Sequence, residues 1–320
     1  MSDMLLEGRS AIVTGGGRGI GKAICEELAS AGASVIVADT GGAIDGSGED
    51  SALAATVAKK CGARALPYSQ NIASPKAASE MVKLAMDHFA GIDIVINCAA
   101  ILRDGLVFKG SPRDWDAVVK NNLSSAYYLT NAATPVMRDQ FKDARGDGNN
   151  YTWGRIINIG STAGLYGNFG QANYGSAKAG LFGLTRITAM EMVRSQVTAN
   201  YVAPFAHSRV TDMIQPANQE QAQYKDRAMR VSPYHVANLV TYLCSDQAND
   251  VTGQVFGVRG REVFIFSQPR PVATVTSTDA NWTPEKLGEA VDVNLRSHFT
   301  DLATDLEAFN TDPIVQERRI

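Results

Sequence analysis

The sequence predicts an α/β protein built on a doubly wound parallel sheet, a single domain with a C-terminal extension. Two observations predict it. Short apolar runs alternate with longer segments of helical period, and the first run leads straight into a glycine-rich turn that opens a helix. Apolar runs without strict polar alternation suit strands covered on both faces, and the intervening helices supply the crossovers that parallel strands need.

In chain order the runs are SAIVT (10–14), SVIVAD (34–39), ALPYS (65–69), IDIVIN (92–97), GRIINIG (154–160), VTANYVA (197–203) and GQVFGV (253–258). The segments 39–50 and 140–153 are rich in Gly, Asn and Asp and read as surface loops. The alternation stops near residue 262, so residues 1–262 are expected to form the main domain and 263–320 the extension.

Composition narrows the function. The 320 residues are 45% hydrophobic with a net charge of -3, which suits a packed core and gives no reason to expect nucleic acid or an anionic membrane as partner. Cys25, Cys61, Cys98 and Cys244 lack metal-ligand spacing and read as reduced thiols; His88, His207, His235 and His298 form no cluster, so no metal is expected. The start MSDMLLEGRSAIV turns acidic too early for a signal peptide, and no stretch has the length and apolarity to span a bilayer. A cytosolic protein is the expectation.

The turn after the first strand reads TGGGRGIG, 14–21. Glycines at 15, 19 and 21 permit a tight turn and close approach of a pyrophosphate to the helix N-terminus. Asp39 ends the second run, 18 residues after Gly21, where a carboxylate accepts from the adenosine-ribose hydroxyls. It would also repel a 2′-phosphate, by on the order of 4 kcal/mol per unit charge at ~4 Å and an effective dielectric near 20. Arg18 pulls toward the 2′-phosphate, and Asp39 would serve equally as a turn cap. NAD is the expected cofactor.

The stretch YGNFGQANYGSAK (166–178) sets Tyr174 and Lys178 four apart, on one helix face. A phenol beside a cation ionises more easily. Taken alone, the pair fits an ordinary helix surface just as well.

With these motifs in order, residues 7–262 resemble the short-chain dehydrogenase/reductase family, which has the Rossmann fold. The family's TGxxxGxG turn is met by Thr14, Gly15, Gly19 and Gly21, with Arg18 and Ile20 between them, and its NNAG turn by Asn97 to Ala100 with Asn97 and Ala99 matching. Its catalytic tetrad falls on Asn122, Ser161, Tyr174 and Lys178. The resemblance implies cofactor contacts at Asn71 (in place of the usual acid), Ile72, Pro204 and Thr211, and also at Tyr174 and Lys178. Phe205 stands where the family has glycine, which would bring a bulky ring near the nicotinamide.

AAILRDG (99–105), DWD (114–116), YGNFGQANY (166–174) and APFAHSRVTD (203–212) look like the (3R)-hydroxyacyl-CoA dehydrogenase domains of peroxisomal multifunctional enzymes and their bacterial relatives. That likeness implies an acyl-CoA substrate with a fatty or steroid side chain. A dehydrogenase for a free alcohol such as a hydroxysteroid is the nearer rival, and a silent nucleotide-binding regulator the more distant one. Tyr174 would act as base, Lys178 would hold the ribose and favour phenolate, Ser161 would hold the substrate oxygen, and Asn122 would anchor a relay water. Tyr166, Asn168, Phe169 and Gln171 are expected to wall the substrate. Arg209, Lys225, Arg227 and Arg230 would suit CoA phosphates.

A homodimer or homotetramer is implied, with Gly175, Ser176 and Ala177 permitting close packing against another subunit. In the extension, Val263–Phe266 read as a strand and Thr283-Pro284-Glu285 as a helix start. Leu295, Phe299, Leu302, Leu306 and Phe309 then form an apolar stripe at helical spacing, expected to dock on the main body or, by preference, a neighbouring subunit.

Overall fold

In the computed structural model, which describes residues 4–145, 151–207, 212, 216 and 218–315, every apolar run contains a strand. They are β1 (Ser10–Thr14), β2 (Ser34–Ala38), β3 (Ala65–Tyr68), β4 (Ile94–Asn97), β5 (Arg155–Ile159), β6 (Thr198–Phe205) and β7 (Val255–Arg259). β1, β4, β5 and β7 are buried along their whole length, which is why their sequences do not alternate. The strand order is β3-β2-β1-β4-β5-β6-β7-β8, parallel throughout except for β8 (Glu262–Ile265), which returns antiparallel to β7.

The order reverses between β1 and β4. Chains leaving those two strands diverge to opposite sides and open a crevice at the carboxyl ends, where open sheets of this kind bind ligands.

Several helices start where a side chain caps them. Asp50 accepts from the Ala52 amide ahead of α2 (Ser51–Cys61), and Ser74 accepts from the Ala77 amide ahead of α3 (Pro75–Phe89), with Pro75 in the first turn. α1 (Gly19–Ser30) has no side-chain cap and no acidic residue in its first turn, so its positive end is left for a ligand. α4 (Pro112–Val119) runs through a π turn, Lys120–Ser124, into α5 (Ser125–Lys142), and α6 (Ala172–Met192) carries the Tyr-Lys pair.

One core layer packs Ile24 and Leu28 of α1 against Leu239 and Val240 of the helix Tyr234–Leu243. The opposite layer joins Met81 of α3 to Leu129 and Met137 of α5. Burial of this apolar area is the main stabilising term. No described helix is long and apolar enough to cross a membrane.

The extension differs from expectation in its second half. Val263–Ile265 join the sheet as β8, and Thr283 caps the helix Pro284–Asn294 with Pro284 at its start. That helix stops at Asn294, and Phe299 is already extended. The stripe therefore breaks: Phe299 is 61% and Leu302 94% exposed, while Phe309 packs its ring 4.7 Å from Phe205 and 5.2 Å from Phe264.

The reason is tertiary. Arg259 donates to Thr311 Oγ1 (3.0 Å) and to the Phe309 carbonyl (3.3 Å), and the Arg261 amide donates to the Ile314 carbonyl (2.8 Å). These bonds fix residues 309–314 in extended form; with the short helix Asp305–Ala308 before them they make a strap, residues 304–314, and such context overrides helix propensity. Gly175 is also used differently from expectation: a Cβ there would stand 2.9 Å from the Ala163 carbonyl, so the small residue lets this chain's own turn approach α6.

Candidate active site

A cleft of about 940 Å³ opens over the carboxyl ends of the strands, running from the glycine turn past Ser161 and Tyr174 to the strap. At its first end the glycines are sterically required. Gly15 and Gly19 have φ of +69° and +50°. A Cβ on Gly15 would lie 2.8 Å from Ala99 Cα, and one on Gly21 would lie 2.1 Å from the Gly15 carbonyl oxygen. Thr14 Oγ1 holds the two crevice walls together by accepting from the Cys98 and Ala99 amides at 3.1 and 3.2 Å. Backbone this close, with the uncapped end of α1 behind Arg18 and Ile20, fits the pyrophosphate of a dinucleotide.

Asp39 lines the cleft, with Oδ2 accepting from the Gly17 amide (2.9 Å) and Oδ1 from the Gly41 amide (2.8 Å). It is thus a turn cap as well as a ribose candidate, since a carboxylate has lone pairs for both. Arg18 is turned onto the loop after β2, donating to the Gly42 and Gly41 carbonyls at 3.1 and 3.3 Å. Asn71, Ile72, Ala99 and Pro204 line the cleft as expected. Thr211 and Arg209 lie outside the described residues.

Asn97 is buried at the end of β4. It is the register partner of Asn158, and on one sheet face it donates to Asn158 Oδ1 (2.8 Å) and Thr130 Oγ1 (3.3 Å), buried and away from the cleft lining.

Three residues of the expected tetrad converge. Ser161 closes β5 in extended conformation, and its Oγ accepts from the Ala163 amide at 3.1 Å. Tyr174, one turn into α6, stands close enough to the Ser161 side chain for that hydroxyl to oppose the rise of its phenol. Lys178 lies one turn further, 2% exposed, with Nζ 5.6 Å from the Tyr174 ring centre and donating to the Ile159 carbonyl at 2.7 Å.

Asn122 stands apart in the π turn. Its amide accepts from the Ile101 N–H (2.8 Å) and donates to the Ile101 carbonyl (2.9 Å), so it clasps the chain beyond β4 and does not line the cleft.

The electrostatics differ from the simple phenol-beside-cation picture. Burial pushes the Tyr174 phenol up to about 12, the Ser161 hydroxyl opposes this, and Asp104, Cys98 and Asp305 add to the rise. Burial also brings Lys178 down to about 8. Desolvation is the largest influence on both groups.

Asn168, Phe169 and Gln171 line the substrate end, while Tyr166 packs edge-on against Phe266 at 6.1 Å, outside the lining. Phe205 is buried against Phe309 and forms part of the wall. Motifs gave no signal for Asp104, Tyr224 or Asp305, which also line the cleft. Among the described residues no cluster of His, Cys, Asp or Glu is arranged to hold a metal ion.

Comparison with known proteins agrees with this geometry. Residues 9–222 match the family model described as short chain dehydrogenase. The chain is 37% identical over 295 residues to the hydroxyacyl-CoA dehydrogenase ChsB1 of Mycobacterium tuberculosis, covering 92% of this chain and 89% of the relative. It is 37% identical over 262 residues to the 3-oxoacyl-[acyl-carrier-protein] reductase FabG of Aquifex aeolicus, covering 81% and 98%. With the peroxisomal multifunctional enzyme A of Dictyostelium discoideum it shares 39% identity over 247 residues, 77% of this chain and 52% of that longer protein. A crystal structure of a short chain dehydrogenase from Mycobacterium avium superposes with a TM-score of 0.75 at 34% identity, covering 91% of this chain and 95% of that one.

Proposed function

The chain belongs to the short-chain dehydrogenase family, and on that premise we propose that it interconverts a secondary alcohol and a ketone with NAD, acting on a 3-hydroxyacyl-CoA thioester. The observation that carries the chemistry is the meeting of Ser161, Tyr174 and Lys178 at the far end of a backbone cradle.

Bound NAD⁺ supplies the hydride acceptor. The remaining work falls to the chain's own groups. Tyr174 Oη takes the hydroxyl proton in oxidation and returns it in reduction. Ser161 Oγ donates to the substrate oxygen as its charge changes. Lys178 sits where it stabilises the phenolate form of Tyr174, while Asn122 keeps the main chain at Ile101 in place.

For NAD rather than NADP, the support is Asp39 in the cleft and an Arg18 committed to loop carbonyls. For the thioester, the support is the relatives, whose names pair a hydroxyacyl-CoA with a 3-oxoacyl carrier substrate. One observation favours the free-alcohol rival. Two cations expected to meet CoA phosphates are taken by the strap, Arg227 donating to Asn310 Oδ1 (2.7 Å) and Arg230 pairing with Asp312 (3.0 Å). Exposed Ile187 and Met190 on α6, with Val263 and Ile265 on β8, support a homo-oligomer.

The test is kcat/KM with NAD and NADP for a 3-hydroxyacyl-CoA, its free acid and a hydroxysteroid. NAD and the thioester are expected to lead. An equal or better value with NADP overturns the cofactor assignment. A steroid ahead of the thioester hands the site to the free-alcohol reading, and absence of turnover leaves the regulator.

A further inference from the structure

The strap sends one carboxylate into the cleft beside the reacting groups. Asp305 Oδ2 accepts from Thr162 Oγ1 at 2.8 Å and from the Tyr224 hydroxyl at 2.9 Å. Thr162 follows Ser161 directly, so this carboxylate stands next to the residue that holds the substrate oxygen. Both of these side-chain hydrogen bonds end on Oδ2, and Asp305 lines the cleft.

Its position is fixed from behind. Thr304 donates to Glu307 Oε2 from both its amide (2.7 Å) and its hydroxyl (2.6 Å), and Phe309 is wedged between Phe205 and Phe264. Two arginines of the cleft wall bond elsewhere, Arg227 to Asn310 and Arg259 to Thr311, the Phe309 carbonyl and Glu262. Glu307 and Asp104 line the same cleft and add negative charge.

We infer that Asp305 is a specificity-determining residue that excludes substrates carrying a negative charge beside the carbinol carbon and admits neutral ones. A neutral acceptor would hold Thr162 and Tyr224 equally well; what the carboxylate adds is charge. A substrate oxygen held by Ser161 and Tyr174 brings its neighbouring carbons toward residue 305. A free carboxylate there meets a like charge in a partly desolvated cleft, whereas an ester, thioester or ketone does not. Asp305 is also among the charges that raise the Tyr174 phenol, after burial, Asp104 and Cys98. The inference rests on the alcohol–ketone chemistry proposed above and not on coenzyme A.

The test uses a 3-hydroxy acid and its methyl ester with full-length wild type, Asp305→Asn and Asp305→Glu. The ester-to-acid ratio of kcat/KM is expected to fall about tenfold or more in Asp305→Asn. The ester value should stay within roughly threefold, because the amide oxygen keeps the Thr162 and Tyr224 bonds. Asp305→Glu should retain the wild-type ratio. An unchanged ratio in Asp305→Asn overturns the inference. If that variant melts early, Asp305→Ser serves as the second neutral replacement. If wild type oxidises neither compound, the alcohol–ketone reading fails separately. Calorimetric Kd values for the same pair then carry the same expected change in ratio, and an unchanged Kd ratio is equally fatal.

Discussion

Two regions border the cleft, and they reach it by opposite means. The nucleotide end, residues 10–39, is held by local geometry: glycines with positive φ, a helix left uncapped, and a carboxylate bonding amides of two adjoining turns. The strap, residues 304–314, is held almost wholly from a distance, by Thr162, Tyr224, Arg227 and Arg259. The first region tolerates almost no side-chain change, because backbone itself fills the space. The second region is a set of side-chain bonds in which single members are replaceable. On the proposed reading, cofactor binding sits on the rigid side and selection among substrates on the adjustable one.

The sharpest break of this contrast is Gly21→Ala. Its Cβ would press against the Gly15 carbonyl at 2.1 Å, where only backbone can give way. Overpacking of this kind costs about 1–3 kcal/mol, which on a cofactor Kd is roughly 5- to 150-fold. Fluorescence titration with NADH measures it, and an unchanged Kd would mean that the cradle does not bind the pyrophosphate.

Phe309→Ala probes the other side and should act more mildly. Loss of its contacts with Phe205 and Phe264 is expected to lower stability by about 1–3 kcal/mol. Substrate KM should rise while NADH affinity stays near wild type. Denaturant melts and kinetics check both. A NADH affinity that falls with KM would show that the two ends are not separable.

The same contrast explains what was legible in the sequence. The strands and α1 were readable because their signals are short-range, apolar runs and a glycine turn; Tyr174 and Lys178 drew notice by their four-residue spacing, and Ser161 entered only through the family resemblance. The helix at Thr283 was readable for the same reason. The Asn97 side chain bonds Asn158, 61 residues away, a pairing no local signal could give. The expected stripe failed at Phe299 and Leu302 because Arg259 and the Arg261 amide, far back in the chain, dictate the path of residues 309–314. Asp305 left no trace, since its partner Thr162 is 143 positions away and no motif joins them. The phenol was expected to be lowered by Lys178, yet burial is the largest influence on it, and that depends on how deeply α6 packs.

The central claim is that Tyr174 moves the proton in a cleft whose cofactor end is built independently. Tyr174→Phe keeps the ring and its packing and removes only the hydroxyl. Turnover with NAD and the best alcohol of the panel should fall by about 10² to 10⁴, with the NADH Kd within a few-fold of wild type. A variant that keeps turnover within tenfold of the parent would show that another group takes the proton, and the assignment of this site would be wrong.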